Sequence, residues 1–144
     1  MFIINTIKEK KEEVKKKVFL GGTCNESKWR DTLIPMLKID YFNPVVEDWT
    51  PECQAEEIKQ RETCDYCLYT ITPKMTGVYS IAEVVDDSNK QPDKTMLCVL
   101  VKDKEDTFDK HQIKSLQSVV GLVEKNGSKV FSKLEEVANH LNGE

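Results

Sequence analysis

The groups in this sequence best suited to chemistry are carboxylates, hydroxyls and one loop tryptophan. Glu83 is the leading acid. It stands among Ile81, Ala82, Val84 and Val85, on an apolar run at helical spacing that follows a Thr76-Gly77 break. An acid in the first turns of such a helix suits an active-site rim in an α/β protein. Thr23, Asn25, Ser27, Asp48, Trp49, Thr76 and Ser80 all fall in segments that follow predicted strands, which brings them to the same end of a sheet. Carboxylates attack or stabilise an anomeric carbon, hydroxyls bind hydroxyls, and a tryptophan face stacks on a base. The set therefore suits a sugar or nucleoside. A nucleophilic carboxylate must be ionised, whereas burial favours the neutral acid, so hydroxyl or N–H groups are expected to stabilise Glu83. The plainer alternative is a solvated helical glutamate; the apolar neighbours and the preceding glycine loop favour the site. Asp86 and Asp87 read as solvated, and Trp29 as core.

Other chemistries find less support. No Ser–His–Asp set or Cys–His pair is visible, and the two histidines, His111 and His140, lie far along the chain. The cysteines are Cys24, Cys53, Cys64, Cys67 and Cys98, an odd count that favours free thiols and a cytoplasmic protein. Cys64 and Cys67 form a C-x-x-C, but it enters a strand pattern and no second pair completes a tetrahedral metal site. It reads as structural, with no metal and no cofactor expected. A net charge of −4 argues against a nucleic-acid polymer as partner, and the lysines from Lys8 to Lys17 are interrupted by Glu9, Glu12 and Glu13. No apolar run approaches the roughly 20 residues of a membrane span. The N-terminus lacks a signal-peptide pattern. With 144 residues, 39% hydrophobic and 32% charged, the chain suits one globular domain. Residues 1–16 read as an N-terminal appendage and 17–144 as the domain.

The elements that must position these groups alternate. Val18-Phe19-Leu20 reads as a short strand ending in Gly21-Gly22-Thr23, a turn that permits close approach of a ligand and whose N–H groups suit an anion or hydroxyls. Ser27 is the expected cap of a helix carrying Trp29, Leu33, Met36 and Leu37. Tyr41-Phe42 with Val45-Val46 gives a second strand, broken by Asn43-Pro44. Glu52 to Glu62 predicts a polar helix with only Ala55 and Ile58 apolar near its middle, which suits a cleft, a partner or a merely solvated connection. Tyr66 to Ile71 is the third strand and Thr95 to Val101 the best central one, with a charged loop from Asp103 to Asp109 after it. A helix over His111 to Lys125 stops at Asn126-Gly127, Lys129 to Phe131 forms a last strand, and Ser132 caps a final helix. This order predicts a five-stranded, mostly parallel sheet with helices on both faces, a flavodoxin-like or Rossmann-like three-layer sandwich.

Three segments carry a resemblance: FLGGT…SKWR at 19–30, CDYCLYTIT at 64–72 and TGVYSIAEV at 76–84. Together they resemble the nucleoside 2-deoxyribosyltransferase-like family over most of residues 18–101. The resemblance implies that Glu83 is a nucleophile, forming a covalent glycosyl ester before water or a second base takes the sugar. It implies that Gly77 and Ser80 let the sugar approach, with Gly21, Gly22 and Thr23 beside it. Glu57, with Glu56 as the alternative, would orient the base. The implied partner is a nucleoside or nucleotide, in a homo-oligomer whose neighbouring copy closes the pocket. Two departures point to a divergent branch. The family's aspartate six residues before the nucleophile is replaced by Gly77, and its first-strand aromatic falls near Phe19, which lacks a hydroxyl. Two alternatives follow. One is an N-glycosidase for nucleoside monophosphates or a nucleotide signal, with Gly21 to Ser27 and Ser80 cradling a phosphate. The other is a non-catalytic nucleotide-binding module.

Overall fold

A computed structural model describes residues 15–24 and 26–144. Asn25 and all but the last two residues of the expected appendage lie outside that range. The main sheet has five strands: β1 (Lys17–Gly22), β2 (Asp40–Phe42), β3 (Tyr66–Ile71), β4 (Thr95–Val99) and β5 (Lys129–Phe131). Their spatial order is β2-β1-β3-β4-β5, and every pairing is parallel. The helices are α1 (Trp29–Leu33), α2 (Pro51–Thr63), α3 (Tyr79–Lys90), α4 (Lys110–Lys125) and α5 (Leu134–Leu141).

The sequence explains this order. β1, β3 and β4 are almost wholly buried, as parallel strands covered on both faces must be. β2 and β5 are three-residue edges, partly exposed. Alternate side chains feed two cores. On one face Val18, Leu20, Leu68 and Met96 pack with Trp29 and Leu33 of α1 and with Leu134, Val137 and Leu141 of α5. On the other, Phe19, Tyr69, Ile71 and Leu97 pack with Val84 of α3 and with Leu116 and Val123 of α4. α4 begins with a reciprocal capping box between Asp109 and Gln112 and is followed by Gly127 at φ +102°.

Several local expectations need correction. β2 stops at Phe42, because Pro44 has no N–H to offer a ladder and the Asn43 side chain accepts the Val45 N–H at 3.1 Å. Val45 and Val46 are therefore exposed loop residues. β4 ends at Val99, and Val101 is exposed. The charged loop beyond it contains a small antiparallel ribbon, Lys102–Asp103 with Asp106–Thr107, turning through Lys104 at φ +55°. Ser27 does not cap α1; its hydroxyl donates to Asp103 across the fold. Lys133, not Ser132, occupies the α5 cap position, while the Ser132 N–H and hydroxyl both reach Glu136.

Candidate active site

The order β2-β1-β3 places a topological switch between β1 and β3, where the chain leaves β1 towards one side and returns on the other. The carboxyl ends of these two strands form the floor of the site. Gly22 pairs with Thr70 at φ +116°, and a Cβ there would lie 2.1 Å from the Thr70 carbonyl oxygen, so only glycine fits. A Cβ at Gly21 would press on Tyr69 and Phe19 at 2.7–2.9 Å. Thr23 then ties the turn to β3: its N–H donates to Thr70 O at 2.9 Å, and its hydroxyl accepts the Thr72 N–H at 3.0 Å. Its carbonyl accepts from Trp29 Nε1 at 2.7 Å and from Arg30 Nη1 at 2.8 Å. Arg30 also donates through Nε to Leu20 O at 3.0 Å and stacks over the Trp29 ring. The Thr23 N–H expected to greet an anion is thus already engaged, and the turn offers a close, flat floor instead. Burial pushes the Arg30 guanidinium down to about 10, against the pull of Cys24, Glu57 and Asp31, so it remains a cation at neutral pH.

One wall comes from α2, a helix with no buried residue. Its ends hold it in place. Thr50 caps the start by accepting the Cys53 N–H at 3.2 Å, with Pro51 at the first helical position. At the other end Lys94 Nζ donates to the carbonyls of Arg61, Glu62 and Cys64 at 3.3, 2.9 and 3.0 Å. The Cys67 thiol adds a donation to the Arg61 carbonyl at 3.2 Å. The C-x-x-C pair is buried, unbridged and part of this anchorage, and burial pushes the Cys67 thiol up to about 12. Glu57 and Arg61, one helical turn apart, stand on the inner side of α2.

The facing wall is α3. Glu83 and Asp87 are spaced four residues apart and both are buried, Glu83 at 8% and Asp87 at 4% exposure. Asp87 was expected in solvent; it is instead enclosed because Arg61 and Tyr69 reach it. Arg61 Nη2 lies 3.0 Å from Asp87 Oδ1, and Nη1 forms an ion pair with Glu83 Oε2 at 3.3 Å. Arg61 Nε donates to the Tyr69 hydroxyl at 3.0 Å, and that hydroxyl donates to Asp87 Oδ2. Burial pushes the Glu83 carboxyl up to about 7, with Arg61 pulling it down and Glu57 and Asp87 pushing it further up. Burial also raises Glu57, opposed by Arg61 and Arg30.

Between these walls lies an open cleft of about 1020 Å³. Gly21, Gly22, Thr23, Trp49, Glu57, Thr76, Gly77, Ser80 and Glu83 all line it, as the sequence places them. Asp48 and Ser27 do not: Asp48 is exposed, next in sequence to Trp49, which is 61% exposed at the rim. Glu56 lies outside too, accepting from Gln60 at 2.8 Å, which leaves Glu57 as the carboxylate of α2 in the cleft. The loop after β4 contributes Asp106, which meets Lys74 at 2.8 Å on the rim. Sequence reasoning missed Arg30, Arg61, Tyr69 and Asp87. A signal was available: Arg30 and Arg61 are the only arginines in a lysine-rich chain, and Glu83 repeats as Asp87 at the helical i+4 position. Among the described residues, no three His, Cys, Asp or Glu side chains converge as a metal site.

A family profile described as nucleoside 2-deoxyribosyltransferase like matches residues 15–102, which contain both walls, the floor and Glu83. The chain belongs to the nucleoside 2-deoxyribosyltransferase-like family. No curated protein matches the sequence. A solved structure, the crystal structure of a conserved protein from Enterococcus faecalis V583, is similar at a TM-score of 0.57 and 15% identity. The similarity covers 90% of this chain and 99% of that one, and it establishes the three-layer α/β fold. The matched residues include most of those that line the cleft, Glu83 among them.

Proposed function

We propose that this protein cleaves or transfers the N-glycosidic bond of a nucleoside or nucleotide through the Glu83 carboxylate. The observation that carries the reading is a buried glutamate, paired with an arginine, at the switch-point end of the sheet in a cleft large enough for a nucleoside. An ionised Glu83 oxygen attacks the anomeric carbon, and the carbon–nitrogen bond breaks with its electron pair going to the base. Glu57, whose carboxyl is also raised by burial, gives the departing base its proton. Water or a second base then attacks the same carbon and gives its proton to Glu57, the sugar–carboxylate bond breaks, and Glu83 returns as a carboxylate. Trp49 at the rim supplies a face for the base, and Gly77 with Ser80 leaves room for the sugar.

A second reading, a nucleotide N-glycosidase, is favoured by one observation. The N-terminus of α3 carries no side-chain cap at Val78, and Ser80 and Lys74 line the cleft beside it, which suits a 5′-phosphate. We also infer a homo-oligomer. Val45, Val46, Trp49 and Tyr79 are exposed at the cleft, and Ile58 is exposed on α2, an apolar surface for a second copy to cover. The free thiols suit a reducing, cytoplasmic setting.

The test is incubation with pooled nucleosides and nucleotides, with released bases read by chromatography. Base release by the wild-type protein and its loss in Glu83→Gln support the reading. Turnover only of 5′-phosphorylated members selects the nucleotide reading. Tight binding without release from any member would leave a binding module in place of an enzyme.

A further inference from the structure

The Arg61 cluster has a design that the reaction alone does not explain. Two carboxylates on one buried face of α3, at i and i+4, repel each other unless a cation lies between them. Arg61 supplies it, with each edge of its fork assigned. Nη2 and Nε face Asp87 at 3.0 and 3.4 Å, Nε also meets the Tyr69 hydroxyl at 3.0 Å, and Nη1 faces Glu83 at 3.3 Å. The Tyr69 hydroxyl donates to Asp87, closing a ring with Arg61 Nε, which meets both. The backbone of Arg61 is fixed as well, since its carbonyl accepts from Lys94 and from the Cys67 thiol.

We propose that Arg61 is a positioning residue, clamped by Asp87 and Tyr69, that holds the Glu83 carboxylate ionised and aimed into the cleft. The inference rests on the reading of Glu83 as the nucleophile. Guanidinium suits the task because it stays charged and presents a rigid planar fork, which a lysine does not. The charged groups acting on Glu83 are Arg61 and Glu57 from α2 and Asp87 from α3 itself; Tyr69 of β3 acts on Asp87 and Arg61, and Arg30 of α1 on Glu57. Arg61 is the cation of this set paired to Glu83; Lys74, also at the cleft, pairs with Asp106. Burial and two neighbouring acids act against an ionised Glu83, and Arg61 acts for it. Asp87 is then the anchor of the arginine and does not touch the substrate.

The test is a titration of Glu83 by carboxyl-carbon NMR on glutamate-labelled protein, assigned with Glu83→Gln. It is run on wild type, Arg61→Met, Arg61→Gln and Arg61→Lys. It needs no turnover, so a protein that releases no base still decides it. Removing the charge is expected to raise the Glu83 midpoint by about one pH unit or more, with Arg61→Lys returning it towards wild type. Where a nucleoside is turned over, base release by Arg61→Met falls about tenfold more at pH 6 than at pH 9. Arg61→Gln keeps hydrogen-bonding groups against Asp87 and serves where methionine fails to fold. A Glu83 midpoint unmoved in the neutral variants, or a turnover loss equal at every pH, overturns the proposal.

Discussion

At the scale of single residues, Glu83 does two opposed things. Its carboxyl is pushed up to about 7 from an ordinary 4.5. A carboxyl raised on folding loses stability as pH rises through its unfolded value, and the loss is complete above its folded value. Glu83→Gln removes that loss. The variant is expected to be more stable than wild type by about 3 kcal/mol at pH 8, with the difference vanishing below about pH 4, as read by denaturant unfolding across pH. On the proposed role of Glu83, base release is expected to rise with pH through a limb near 7, as the ionised carboxylate accumulates. A stability gain and an activity loss in one variant are what a strained functional acid produces. The glycines give a second contrast. Gly22→Ala drives a Cβ into the Thr70 carbonyl at a left-handed φ and is expected to lose about 3 kcal/mol or more, whereas Gly77 faces open space and Gly77→Ala or Gly77→Asp is expected to stay within about 1 kcal/mol. Thermal melts of the three variants check this.

At the scale of elements, α2 is the informative case. Its residues contain no apolar stripe, and Glu52 to Glu62 predicts a helix facing a cleft, a partner or solvent. It does face the cleft through Glu57, while its Arg61 pairs with Glu83. What holds it there is its ends, chiefly Lys94 donating to three carbonyls from the turn before β4. Lys94→Met is expected to cost about 1–3 kcal/mol and to speed amide exchange at Gln60 to Cys64, leaving β1, β3 and β4 protected. Exchange that changed equally in α2 and in the sheet would contradict this anchorage. Such an anchor was not legible in the sequence, because Lys94 lies 30 residues or more from the carbonyls it binds. Elements with their own periodicity were legible: β1, β3, α4 and β5 fall where their patterns place them. So was the placing of Glu83 at the cleft, because its apolar neighbours are local in sequence. Asp87 was misread for the converse reason. Nothing beside it in the chain distinguishes a solvated acid from one whose partners, Arg61 and Tyr69, arrive from other elements.

At the scale of the whole molecule, the sheet order and the cleft belong together. The connections after β1 and β3 leave the sheet at the switch, and the cleft opens at the carboxyl ends of these paired strands, lined by residues of α2 and α3. No helix among the described residues is long and apolar enough to cross a membrane. The apolar rim has its own consequence: the protein is expected to form a dimer or larger assembly, and Trp49→Asp combined with Ile58→Asp to shift it towards monomer in light scattering, with the fold retained. A wild-type monomer at high concentration would contradict the inferred assembly. The central claim, that Glu83 is the group that takes the sugar, has a more direct test. The protein is incubated with the nucleoside or nucleotide it turns over, quenched in acid, and its peptides are mapped by mass. The expected result is the added mass of one sugar on Glu83 and on no other residue, with neither adduct nor free base from Glu83→Gln; a sugar carried on another side chain, or base release undiminished in Glu83→Gln, would contradict it.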